Sequence, residues 1–145
     1  MLEWKSDYEI GVPALDAQHK ALFDYINQLG KLLEQNEVQR PEVDKVLTFL
    51  GSYAKLHFNE EENCMARFHC PAYASNKEGH ALFLNMFDFY RGQGEAIYTS
   101  KAMLGRLHET MVWWINQHIL NVDIQLRDSV KLQQSATPRP PNPRL

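Results

Sequence analysis

Residues 43–61 read VDKVLTFLGSYAKLHFNEE, and their apolar members decide the fold. Val43, Val46, Leu47, Leu50, Ala54, His57 and Glu61 recur at spacings of three and four. At about 3.6 residues per turn they share one helix face over about five turns. That face is apolar until it meets an imidazole and then a carboxylate. Buried polar groups of that kind need partners, so the stretch predicts a helix with a site near its end. Pro41 suits the first turn of this helix, and Phe68-His69-Cys70-Pro71 breaks it.

The same periodicity recurs on both sides. Upstream, His19, Leu22, Ile26, Leu29 and Leu33 form one face of a first helix, with Asp16 as its expected N-cap and closure from Asn36 to Arg40. Downstream, Asn76, His80, Phe83, Phe87 and Tyr90 share a side of a third helix, with Ser75 as expected cap and Gly92 and Gly94 as terminators. A fourth helix, capped by Thr99 or Ser100, turns Leu104, Leu107, Met111, Trp114 and His118 inward. No stretch alternates long enough to compete as a strand. Four amphipathic helices with short connections imply an all-α fold, an antiparallel up-down-up-down four-helix bundle. Residues 1–15 read as an ordered N-terminal arm. Residues 124–136 read as a C-terminal helical extension. Residues 137–145, with four of the seven prolines, read as a linker or tail. The domain that carries the polar residues of these faces is expected to span 1–123.

Composition limits what the chain does. At 145 residues it fits one domain with a real core. A net charge of -3 gives no basic footprint for nucleic acid. No run of about 18 apolar residues predicts a membrane span, and the N-terminal MLEWKSDYEIG has no hydrophobic signal region, so a cytoplasmic location is expected. Cys64 and Cys70 are expected to be reduced thiols.

The remaining chemistry sits on the helix faces. His57 with Glu61 and Asn76 with His80 are each four apart, about a turn on one face. His19 and His118 face the same core from the first and last helices. Imidazole with carboxylate suits iron, zinc or manganese, and the lack of thiolates on these faces argues against a structural zinc site. Asp123 is harder to place. Five residues after His118, it lies about 140° around a continuous helix. It reaches the same metal only if the helix unwinds near Asn121; otherwise it is a surface acid. His108 falls about 80° off the ligand stripe and reads as a boundary residue. His69 reads as a loop residue, and Glu60 and Glu62 as solvated acids on other faces. Trp113, Trp114, Phe83, Phe87 and Phe89 read as core or subunit contact.

Trp4-Lys-Ser-Asp-Tyr8, Gly11-Val12 and Asp16-Ala-Gln-His19 resemble the N-terminal signature of the hemerythrin family. His57-Phe-Asn-Glu-Glu61 with Met65 resembles its second-helix motif. Pro71, Lys77 and His80 resemble its third, and His118-Ile-Leu-Asn-Val-Asp123 its fourth. The resemblance covers residues 2–123. It implies a non-haem di-iron centre of two Fe ions, bridged by Glu61, Asp123 and an oxo, hydroxo or exogenous ligand. His19 and His57 would serve the iron that binds dioxygen, and His80 and His118 the other. The family's third histidine on that second iron falls at position 76, where this chain has asparagine. Asn76 is either a weak amide ligand or the mark of an open position. Nearby aromatic and Leu side chains are expected to form a dry oxygen pocket.

The resemblance implies reversible binding of dioxygen, and of small anions such as azide, in place of catalytic turnover. No residue stands as an extra nucleophile or general base, and no Glu stands three residues before a histidine as in ferritin-like oxidases. The expected role is an oxygen- and redox-sensing input module with a fused C-terminal output domain, for example a diguanylate cyclase. The alternatives are a free-standing oxygen carrier or store, or a peroxide- or nitric-oxide-reducing enzyme.

Overall fold

In a computed structural model that describes residues 1–135, the chain is helical almost throughout and the described residues contain no strand. The long helices are α1 (Pro13–Glu34), α2 (Arg40–Arg67), α3 (Tyr73–Arg91) and α5 (Lys101–His118). A single-turn α4 (Ala96–Thr99) precedes α5, and α6 (Gln125–Ser135) follows it. Helix α1 packs on α2 and α5, and α3 packs on the same two. The four long helices therefore close into a ring, and the short connections make neighbours antiparallel. This is the four-helix bundle that the periodicity predicts. Residue 136 and the Pro-rich segment 137–145 lie outside the described residues.

The helix ends follow local rules that differ in detail from the expectation. Asp16 does not cap α1. Pro13 sets the first turn, so the helix starts four residues earlier. The Asp16 carboxylate instead accepts from the backbone N–H of Ile10 (2.8 Å) and Gly11 (3.1 Å), a negative group at the positive helix end. Gly11 has φ +89°, a turn conformation that an L side chain resists. The N-terminal arm is thus shorter than expected and carries a 3-10 turn at Ser6–Tyr8. Ser75 likewise lies within α3, which begins at Tyr73. Ser100 does cap α5, accepting from Met103 N–H at 3.2 Å.

Helix α2 ends in a Schellman motif. Cys70 N–H donates to Met65 carbonyl (2.9 Å) and His69 N–H to Ala66 carbonyl (3.2 Å), with His69 at φ 52°. Exposed His69 is therefore a helix terminator, remote in role from any ligand.

Two apolar clusters fill the bundle. The larger holds Ile26, Leu29, Leu47, Leu50, Leu104 and Leu107, all essentially inaccessible. Full burial of each such side chain contributes about 1.5–3 kcal/mol. The smaller joins Ile10 and Leu15 to Cys64, Met65, Cys70 and Ala72, and Leu126 and Val130 of α6 pack into it. Both cysteines are free and buried. Arg127 fastens α6 to the arm: Nε donates to the Glu9 carbonyl at 2.7 Å and Nη2 to the Asp7 carbonyl at 3.3 Å. Arg127→Ala is expected to raise amide hydrogen exchange in residues 125–135 while leaving α1, α2, α3 and α5 protected. Unchanged exchange in α6 would show that its apolar face alone holds it.

Candidate metal centre

Between the two clusters the helix faces turn polar, and each face delivers its polar residue to one point. Helix α1 brings His19, α2 brings His57 and Glu61, and α3 brings Asn76 and His80. His118 closes α5 and Asp123 follows it. All seven are buried.

Asp123 arrives by a local unwinding that keeps the helical hydrogen bonds. Residues Ile119–Asp123 form a π-turn, with Ile124 N–H donating to the Ile119 carbonyl at 3.0 Å. The wider turn needs five residues to come round, so residues five apart fall nearly in line. Asp123 Oδ1 thereby lies 3.1 Å from His118 Nε2. The chain stays helical and hydrogen-bonded through Asn121.

The two carboxylates divide their oxygens. Glu61 Oε2 faces His19 Nε2 (3.0 Å) and His57 Nε2 (3.3 Å). Glu61 Oε1 faces His80 Nε2 (3.1 Å) and Asn76 Nδ2 (3.0 Å). Asp123 Oδ2 faces His19 Nε2 at 3.3 Å, and Oδ1 faces His118. Two groups of donor atoms result, each within 4.8 Å: His19, His57 and Glu61, then Glu61, His80, His118 and Asp123. Glu61 belongs to both.

These residues fit a pair of metal ions. His19 Nε2, His80 Nε2, Glu61 Oε2 and Asp123 Oδ1 are buried without a directed hydrogen bond, although each has a neighbour near 3 Å. Buried polar atoms left in that state are costly. Here they point at shared spaces, as ligands do. The set is imidazole and carboxylate with no thiolate, which suits iron or a similar ion. The electrostatics agree. Burial alone would lower the His19 pKa, but Asp123 and Glu61 outweigh it and raise it to about 10. Burial opposes ionisation of Glu61, yet His19, His57 and His80 hold its carboxyl well below the usual range. Burial lowers His57. The space between the carboxylates thus favours a positive charge.

Outer contacts fix the rings. His57 Nδ1 lies 2.7 Å from Gln18 Oε1, and Gln18 Nε2 donates to Glu60. His80 Nδ1 lies 3.2 Å from Glu62 Oε2. With Nδ1 donating outward, Nε2 keeps its lone pair for a metal. Glu60 is exposed, as expected, while Glu62 is half-buried; their neighbour Glu61 points inward, and a rotation of about 100° per residue aims one at α1 and the other at α3. Phe58 stacks on His80 (centroids 3.9 Å) and Trp114 on His118 (4.4 Å). Trp114, Phe83 and Phe87 are core, whereas Trp113 and Phe89 are exposed. His108 stays outside both donor groups, against Gly30.

Gly79 was not singled out by sequence reasoning. A Cβ there would sit 2.5 Å from His118 Cε1 and 2.7 Å from Nδ1. The signal was a glycine inside a helix, which costs about 1 kcal/mol relative to alanine, beside a ligand stripe. Gly79→Ala is expected to keep the helical content and displace His118, weakening metal binding by about tenfold or more. Metal content together with circular dichroism checks this; full metal loading would show that the ring has room to move.

Leu22, Phe58, Trp114, Ile115 and Ile119 meet His19, His57, His118 and Asp123 around a cavity of about 10 Å³. That is room for about one water-sized molecule, bounded mostly by apolar side chains and touched by histidines of both donor groups.

A family profile described as "Hemerythrin HHE cation binding domain" matches residues 10–126. The chain is 29% identical over 131 residues to a bacteriohemerythrin of Clostridium acetobutylicum, covering 88% of this chain and all of that protein. It is 28% identical to a bacteriohemerythrin of Stenotrophomonas maltophilia, over 90% of this chain and 82% of the relative. A bacteriohemerythrin of Pseudomonas aeruginosa is 27% identical over 92% of this chain and 84% of its own length.

Proposed function

The chain belongs to the hemerythrin HHE cation-binding family, and on that premise we propose that residues 1–123 bind dioxygen at a non-haem di-iron centre. The observation that carries this reading is the division of the Glu61 and Asp123 oxygens between two groups of imidazoles. When bound, the iron pair supplies two electrons to dioxygen and takes them back on release. The protein's own part is to orient, to exclude water and to hold the ligands. His19, His57 and His118 all face the small cavity, and the resemblance to the family makes the His19 and His57 iron the one that takes dioxygen or an anion such as azide. Leu22, Phe58, Ile115 and Ile119 keep the cavity dry. His80 and His118 hold the other metal, with Asn76 beside them. The role read here is reversible binding.

The finer reading is redox sensing. Asp123 stands directly before α6, and residues 124–136 act as the extension that carries the change to a fused C-terminal output domain of the diguanylate cyclase kind. Support comes from α6 itself, which shares an apolar cluster with α2 and is fastened to the N-terminal arm. The competing reading is a free-standing oxygen carrier or store. Hydrogen exchange of residues 119–135 separates them. The sensor predicts a change in protection between reduced and air-oxidised protein, and an unchanged segment points to the carrier.

A further inference from the structure

We propose that Glu62 is a positioning residue that strengthens His80 as a ligand and so offsets the imidazole missing at position 76; this rests on the di-iron reading. The outer nitrogens of the candidate ligands are not alike. His57 Nδ1 faces the neutral amide of Gln18 at 2.7 Å, and His19 Nδ1 has no hydrogen-bond partner. His80 Nδ1 faces a carboxylate, Glu62 Oε2, at 3.2 Å. The Glu62 side chain is only 20% exposed, and the stacked Phe58 ring covers a face of the His80 imidazole.

A carboxylate accepting from Nδ1–H pushes electron density toward Nε2 and makes it a better metal donor. The metal on that side needs this most. Its third neighbour is the Asn76 amide, whose Nδ2 is already given to Glu61 Oε1 (3.0 Å) and whose Oδ1 lies 2.6 Å from His118 Nε2. With a neutral amide in place of an imidazole, that metal has two nitrogen ligands, and one of them is set by Glu62. The chain thus balances a weak position inside the site with a charge outside it.

The test uses the full chain, stripped of metal and titrated anaerobically with ferrous iron. In Glu62→Gln one of the two irons should bind about 10–100-fold more weakly, with the other close to wild type. The midpoint potential of the fully loaded variant should move upward, because a less basic imidazole stabilises ferric iron less. Glu62→Asp, which keeps the charge, should recover part of both effects. Glu78→Gln removes an exposed acid of α3 and should change neither. Circular dichroism of the metal-free variants controls for folding. A wild-type chain that holds two irons beside an indistinguishable Glu62→Gln variant would overturn the role of Glu62. A wild-type chain that cannot hold two irons would overturn the di-iron reading beneath it.

Discussion

In Glu61→Ala, iron loading is expected to fall below one atom per chain. Glu61 is the one residue whose two oxygens reach both groups of imidazoles, Oε2 toward His19 and His57 and Oε1 toward His80. Its removal takes one ligand from each metal and the link between them. Loss of a contact outside the ligand set costs about 10–100-fold in metal affinity, and loss of a shared ligand should exceed that. The metal-free protein should suffer as well. His19, which lies between Glu61 and Asp123, keeps only Asp123. Breaking a buried ion pair from one side costs about 3–5 kcal/mol, and the remaining carboxylate places this variant toward the lower end. Denaturant melts of metal-free protein measure that term separately from iron content. Two irons retained in Glu61→Ala would mean that this carboxylate does not join the two positions.

Asn76→His is expected to slow the oxidation of reduced protein in air by about tenfold or more, taking the cost of losing a ligand's outer contact as a lower bound. Asn76 is completely buried, with its amide set between Glu61 and His118. An amide oxygen is a neutral, weak donor. An imidazole there would complete the nitrogen set that the resemblance implies, close the position to water and anions, and share charge with His80 and His118. The same change should reduce dependence on Glu62, so that Asn76→His combined with Glu62→Gln loses less iron affinity than Glu62→Gln alone. Stopped-flow absorbance after mixing reduced protein with air reads the rate. An unchanged rate would show that position 76 does not tune the centre.

The helices were legible because apolar periodicity is a property of the bundle as a whole: Val43 to Glu61 could bury that face only as a helix. Helix ends were less legible. Asp16 and Ser75 are good caps by residue type, but Pro13 and the turn through Pro71 and Ala72 started both helices earlier. The one-turn α4 is too short to leave a period. At the site, residue types and spacings pointed to the histidines and Glu61, because charge on an apolar face needs a reason. Asp123 was the instructive case. Spacing on an α-helix puts it about 140° away, and only a π-turn brings it back; no residue between 119 and 123 announces such a turn. The outer contacts made by Gln18, Glu60 and Glu62 depend on which helix lies alongside, which one strand of sequence does not state. Gly79 is meaningful only when His118 is seen pressed against it.

The most direct measurement is iron content per chain with the optical spectrum of anaerobically reduced protein, recorded before air, after air and after azide. The account predicts two irons per chain, a nearly colourless reduced form, near-ultraviolet and visible bands on exposure to air, and a further shift with azide. A chain that takes up no iron, or one colourless metal that ignores air and azide, would contradict it.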